Sequence, residues 1–296
     1  MQLNSIISAF LVSAEFSVLS KNTQKTYTYY LKKFDTLLGN KHLGSYVAGA
    51  MPNAVAMPKG VAMQNDVASL SSVVFAFNGA QAQRLSRRIF ILLFSWASRY
   101  GLLADNLATR IPMPKLTAKP RSPFTVEEIK LFTNLIEDTA TSPMLLPYIK
   151  QAIVAFHTGM RPSELDNLVW DDVGPEFINV RSAKANEVGA VARMVKVTDS
   201  VRSLLQNRSR GLVFKSTMGK KLNKDTRSEA IRYACKKVGI KPREFYNTRR
   251  GTATEMFKIG YDISAIQHQL GHRDIATTQI YIKPTMQQAA SVFRGF

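Results

Sequence analysis

Residues 157–165 read His-Thr-Gly-Met-Arg-Pro-Ser-Glu-Leu (HTGMRPSEL) and contain a helix stop, a turn and a helix start. The stretch before them, Pro147–Thr158, has helical spacing and halts at Gly159, a residue type that readily takes the left-handed conformation closing a helix. Arg161 follows in the turn. Pro162 suits the first position of a new helix, where a missing amide hydrogen costs nothing. Glu164 lies one turn on and can pair with Arg161 to fix its rotamer. This punctuation sets a mainly α reading for the region, and the flanking sequence extends it in both directions.

Downstream, Phe177–Val180 and Val191–Val197 alternate apolar and polar like two short strands. Lys184 and Gly189 fall in the loop between them, so the pair reads as a hairpin with Lys184 near its tip. Helices are predicted at about Lys224–Val238, Thr248–Ile259 and Ile263–Leu270, with Gly260 and Gly271 as stops, and a last short helix at 285–293. Upstream, Thr125-Val-Glu-Glu128 is a capping-box pattern opening a helix to about Asp138. Before it, Ile111–Pro123 (IPMPKLTAKPRSP) holds four prolines and reads as an extended basic linker.

The linker separates a helical front half. Asn22–Leu38 places Tyr27, Tyr30, Leu31, Phe34, Leu37 and Leu38 at three- and four-residue spacings, and Leu85–Tyr100 is a second amphipathic helix edged by Arg84, Arg87, Arg88 and Arg99. Gly39–Gly60, rich in Gly, Ala, Met and Pro, gives no clear element, and no internal repeat is visible. The predicted domains are 1–110 and 124–296, joined by 111–123.

Charge narrows the function. The 296 residues hold 40 Lys and Arg against 21 Asp and Glu, a net of +19. Residues 1–117 carry +8 and 118–296 carry +11, so the excess belongs to both halves and not to a tail. Two basic folded halves are expected if both touch one polyanion, and nucleic acid is the first candidate. From Lys215 to Arg250 twelve basic residues face three acids, which favours a phosphate-binding surface over a merely solvated face. One cysteine, Cys235, excludes an internal disulfide framework, and no apolar run has the length of a membrane span. The N-terminal twenty residues carry Glu15 and lack a basic start, so they read as an amphipathic helix and not a signal peptide. The expected location is the cytoplasm, with the nucleoid.

Taken singly, the basic residues have bland readings: Arg161 as a salt bridge, Lys184 solvated, His272 at a helix end, Tyr281 in a core. Together they form an order, R-x-x-E-L, a hairpin Lys, Y-N-T-R at 246–249, then L-G-H at 270–272 with Tyr281 nine residues beyond His272. That order resembles the tyrosine recombinase (phage integrase) family over residues 125–285. The front half is similar, more loosely, to the family's helical core-binding domain.

The resemblance implies a mainly α chain: a helical core-binding domain, then a mostly α catalytic domain with a small antiparallel sheet, the two clamping DNA. It makes Tyr281 the nucleophile, Arg161 and Arg249 the arginine pair, Lys184 the hairpin lysine, His272 the third basic group and Glu164 a supporting residue. Tyr246 stands where the family commonly has His, and Arg250 where many relatives have another. A phenol is a poor general base at neutral pH, so Tyr246 is expected to hold a phosphate oxygen or position Tyr281. Lys25, Arg84, Arg87, Arg88, Lys119, Arg121, Lys220, Lys221, Arg243 and Arg250 are expected to contact DNA.

The implied reaction is strand cutting and rejoining through a 3′-phosphotyrosyl link, by a homotetramer on two double-stranded sites, with accessory DNA-bending proteins as further partners. One phosphodiester replaces another, so no cofactor, nucleotide or metal is called for, and no G-x-x-x-x-G-K-[ST] loop is present. His268 and His272 lie four apart but lack an obvious third ligand. Ala289, Ala290, Val292, Phe293 and Phe296 give the tail an apolar face, expected to dock on a neighbouring protomer or on its own domain. The start of the chain suggests an integrase or Xer type without an arm-binding domain. A type IB topoisomerase-like relaxing enzyme and a non-catalytic DNA-binding regulator are the alternatives.

Overall fold

A computed structural model describes residues 3–38, 59–103, 105–116, 122–181, 193–206 and 209–282, with the backbone alone at 59–66. The chain divides into two compact units, Met1–Lys119 and Pro120–Phe296.

The front unit contains α1 (Leu3–Leu11), α2 (Ala14–Ser17), α3 (Lys21–Leu38), α4 (Lys59–Phe75) and α5 (Ala80–Arg99), then a 3₁₀ turn at Leu107–Arg110. On α3 the expected spacing buries Tyr30, Leu31, Phe34 and Leu38, while Leu37 turns outward at 45% exposure. α5 begins five residues before the predicted start, because Ala80-Gln-Ala-Gln-Arg84 are good helix formers without apolar periodicity. α4 has no counterpart in the sequence expectations; its small residues hide the period, though Leu70, Val73 and Val74 are buried. The core is aromatic at its centre. Phe34 and Phe90 stack with ring centroids 3.7 Å apart, and Tyr30 stacks on Phe77 at 4.6 Å.

Residues 111–116, the first part of the expected linker, are held on the front unit. Arg84 Nε donates to the Pro114 carbonyl and Arg87 Nε to that of Ile111, both at 2.7 Å. Ile111 itself is buried in the front core. The prolines leave this stretch extended, and the two arginines supply the hydrogen bonds a regular ladder would have provided.

The rear unit opens with α6 (Val126–Glu137). Both halves of its predicted capping box form: Glu128 N donates to Thr125 Oγ1 at 3.3 Å and Thr125 N to Glu128 Oε2 at 3.0 Å. The rest runs α7 (Leu146–Thr158), α8 (Pro162–Asp166), β1 (Phe177–Val180), β2 (Arg193–Lys196), α9 (Asp199–Leu204), α10 (Lys224–Lys237), α11 (Asn247–Lys258) and α12 (Ile263–Leu270). A further helix, α13, covers 275–282. β1 and β2 pair antiparallel, with Phe177 opposite Lys196 and Val180 opposite Arg193.

α7 is the hub, packed by α6, α9, α10 and α11. It is buried nearly all round, including Ile149, Ala152, Ile153, Val154 and Ala155, as a central helix must be. α11 reaches it because of one glycine. A Cβ on Gly251 would lie 2.5 Å from Phe156 Cε2 and collide with the Phe124 carbonyl oxygen. Thr252 completes this seam, donating to the Phe156 carbonyl at 2.6 Å. Among the described residues no helix is long and apolar enough to cross a membrane.

Candidate active site

The site is built around the C-terminal end of α12. Gly271 closes this helix in the left-handed conformation, φ +63°, and leaves successive carbonyls without helical partners. Three arginines from three elements take them. Arg193 Nε of β2 donates to Gln269 O at 2.9 Å, Arg249 Nη2 of α11 to Leu270 O at 2.5 Å, and Arg161 Nη2 to Gly271 O at 2.7 Å. The negative end of a helix dipole favours cations here. Arg249 also donates through Nη1 to the carbonyl of Gly159, the residue that ends α7. The two helix-ending glycines therefore present the backbone that aims the arginine pair.

Glu164 balances part of this charge. It is 5% exposed. Its Oε1 accepts from Arg161 Nη1 at 2.8 Å and Arg193 Nη1 at 2.9 Å; its Oε2 accepts from Arg193 Nη2 at 2.8 Å and the Arg161 amide at 2.7 Å. Burial pulls this carboxyl upward, but the hydrogen bonds and charge of Arg193, and then those of Arg161, hold it below the usual carboxylate range. The predicted Arg161–Glu164 pair is present. Arg193 is the member that sequence reasoning missed. The available signal was parity: Arg193 occupies the same inward face of β2 as buried Val195, between outward Met194 and Lys196.

Arg249 is fully buried. Desolvation, and then the charge of Arg161, lower it to about 10, which still leaves it cationic at neutral pH. His272 follows α12 directly. Its Nδ1 lies 2.9 Å from the Thr278 hydroxyl, while its Nε2 is buried without a hydrogen-bond partner. Burial, followed by the charges of Arg249, Arg161 and Arg193, lowers it to about 3, so the imidazole is neutral.

Tyr281, on α13, reaches the same place. Its ring centroid is 5.5 Å from that of His272, and the Arg250 guanidinium carbon sits 5.2 Å from the centre of its ring. Burial pushes the phenol up to about 12. The neighbouring Tyr246 phenol acts in the same direction, and Arg249 and Arg250 oppose them. Tyr246 stands at the head of α11. Thus Arg161, Arg249, His272, Tyr246, Arg250 and Tyr281 of one chain converge, with Glu164 beneath.

The other expected contacts divide. Lys184, Lys119, Arg121 and the tail residues Ala289, Ala290, Val292, Phe293 and Phe296, with the helix at 285–293, lie outside the described residues. Lys25, Arg88 and Lys220 are exposed. Lys221 is exposed too, with its Nζ on Asn167 Oδ1. Arg84 and Arg87 hold the 109–114 backbone. Arg243 departs furthest from the expectation of an open DNA-facing cation. Both of its terminal nitrogens bond Glu128, Nη1 also donates to the Pro123 carbonyl, and the guanidinium lies over Phe124 at 4.9 Å. Its charge is spent anchoring the start of α6. Among the described residues no group of three or more His, Cys, Asp or Glu is placed to hold a metal ion.

Comparisons with known proteins bear on this arrangement. The chain is similar to tyrosine recombinase XerA of Thermococcus kodakarensis, 31% identical over 189 residues, covering 62% of this chain and 65% of that protein. It thus spans just under two thirds of that relative's length. Similarity to XerA of Pyrococcus horikoshii is 27% over 287 residues, covering 95% of this chain and 89% of the relative. Among solved structures, a lambda integrase dimer bound to a COC′ core site superposes with a TM-score of 0.73 at 17% identity, over 95% of this chain and 77% of that one. At that identity it speaks to the fold alone, which is mainly helical in both. The phage integrase family model matches residues 124–288, the stretch that holds every side chain of the cationic pocket, and the chain belongs to that family.

Proposed function

We propose that the chain is a site-specific DNA recombinase that cuts and rejoins strands through a phosphotyrosyl intermediate. The observation that carries this is the convergence of Tyr281 with Arg161, Arg249 and His272 inside one subunit. Two guanidiniums aimed by helix-end carbonyls form a fixed cationic pocket, and such a pocket favours the charge that builds on a phosphodiester's non-bridging oxygens during displacement. Removing a preorganised donor of this kind costs about 3–4 kcal/mol of barrier.

Tyr281 Oη attacks phosphorus and forms the 3′-phosphotyrosyl ester as the bond to the 5′ oxygen breaks, and the phenol's proton passes to water. The leaving 5′ oxygen takes a proton, a role that family resemblance assigns to Lys184. Neutral His272 serves as a hydrogen-bond donor. With the Thr278 hydroxyl donating to Nδ1, Nε2 carries the proton and offers it to a non-bridging oxygen. Tyr246 positions the Tyr281 phenol rather than deprotonating it. The reverse attack by a different 5′ hydroxyl restores a phosphodiester, so bond energy is conserved. Exchange between two duplexes needs two sites with both strands cut, hence four protomers. The positive charge of both units, including Lys25 and Arg88 in front and Lys220 in the rear, supports binding to the DNA backbone.

The test is a nicked suicide duplex, incubated without metal or nucleotide. The native chain should form a covalent adduct mapping to Tyr281, and Tyr281→Phe should bind the duplex with unchanged affinity and form none. A Tyr281→Phe variant that still forms the adduct would sink the reading. Joining of two different duplexes, against relaxation alone, separates recombinase from topoisomerase.

A further inference from the structure

We propose that Arg250 is a positioning residue for the nucleophile, seated on the ring of Tyr281 so that the phenol stays in the cationic pocket and its deprotonated form is favoured; this rests on the recombinase reading. Every other arginine around the pocket is occupied. Arg161 and Arg193 share Glu164 and a carbonyl each, and Arg249 holds two carbonyls. Arg250 differs. Among the described residues no carboxylate pairs with it, and its Nε is buried without a partner. The group its guanidinium does meet is the face of Tyr281, at 5.2 Å from the centroid. That lies within the range of cation–π attraction, which strengthens with desolvation.

The placement follows from α11. Adjacent residues on a helix point about 100° apart, so Arg249 turns inward to Gly159 and Leu270 while Arg250 turns toward α13. Tyr281 thereby meets both the Arg250 guanidinium and the His272 ring. The groups that act on the phenol are Tyr246, Arg249 and Arg250 from the α11 side and His272 from the turn after α12; the nearby carboxylate, Glu164, is already taken by Arg161 and Arg193. Burial and Tyr246 resist ionisation, whereas Arg249 and Arg250 favour it. Arg249 is fixed by the backbone, so Arg250 is the cation whose contact is with the nucleophile itself. Tyr246 and Arg250, on either side of Arg249 in the chain, act on Tyr281 with opposite sign.

The experiment has two arms, both on the full chain. In the first, a fluorinated tyrosine, whose phenol titrates several units lower than tyrosine's, replaces Tyr281, and its fluorine resonance is followed against pH without DNA. Arg250→Gln should leave less phenolate at a given pH, because a cation beside the ring favours the charged form over the neutral one. Arg250→Lys should recover part of the loss. An unchanged titration in Arg250→Gln, with circular dichroism unchanged, overturns the proposal. In the second arm, unmodified chains meet nicked duplexes selected for binding from a randomised pool. Arg250→Gln should slow adduct formation and shift its pH profile upward, with Lys intermediate. A native chain that forms no adduct counts against the recombinase reading, while the titration arm still decides the role of Arg250. A slower rate with an unshifted profile assigns Arg250 to DNA binding and overturns the proposal.

Discussion

In the front unit, Arg84 and Arg87 sit at the margin of α5 and donate Nε to the carbonyls of Pro114 and Ile111. In the rear unit, Arg161, Arg193 and Arg249 donate to Gln269, Leu270 and Gly271 by the same chemistry. The difference lies in solvent. The front pair is partly exposed and stands at the edge of a core of stacked aromatics. In the rear, Arg249 and Arg193 are buried, so their charge must be met inside the protein, and Glu164 is the carboxylate that meets it. A surface arginine on a carbonyl staples a segment in place. A buried one makes the fold and the site interdependent, because its neighbours cannot lose a partner without stranding a charge.

The largest effect should come from the carboxylate. Glu164→Ala strands Arg193 and frees Arg161, and should destabilise the rear unit by about 3–5 kcal/mol. Urea unfolding of the full chain measures it; a loss below about 1 kcal/mol would mean that water enters the network and that the contrast between units is false. Phe90→Ala in the front core should cost a similar amount, about 3–5 kcal/mol, while leaving the titration of Tyr281 unchanged. A shifted titration there would break the independence of the two cores.

Acid comes next. His272 is lowered to about 3 in the folded chain from an ordinary 6.5. Its contribution to stability is therefore complete above about 6.5 and lost as pH falls from there toward 3. Melting temperature followed across that window should fall more steeply for the native chain than for His272→Gln; parallel curves would refute the buried neutral imidazole. The smallest effect belongs to the front staple. Arg87→Met keeps the aliphatic stem but loses two exposed-edge hydrogen bonds, and should cost about 1 kcal/mol.

Much of this was legible beforehand because the relevant residues punctuate the chain. Gly159, Pro162, the Thr125–Glu128 box and Gly271 fix helix ends by backbone chemistry that needs no tertiary context, and the predicted helices over 224–238, 248–259 and 263–270 lie within a residue of those observed. α4 was not legible, since its Ala, Ser and Val residues carry weak periodicity. Nor was α13, where Thr278 and Tyr281 meet His272 through contacts between residues six and nine apart that no apolar spacing marks. Arg193 was hidden by its type. A buried arginine at an inward strand position reads as a misfit until the partner Glu164, 29 residues away, is known. Arg243 shows the reverse: a basic residue in a basic run looked like surface charge, and Glu128, 115 residues distant, had already claimed it.

The last turn of α12 fastens three cations by three consecutive peptide groups, and those cations reach back to β2, α11 and the turn before α8. Unwinding that one turn would remove a carbonyl partner from all three together, leaving them only Gly159 and Glu164, and would carry His272 out of place in the same event. The geometry of the pocket is therefore tied to the integrity of that one turn. A single helix end thus serves as a common fastening for the cations that surround the phenol.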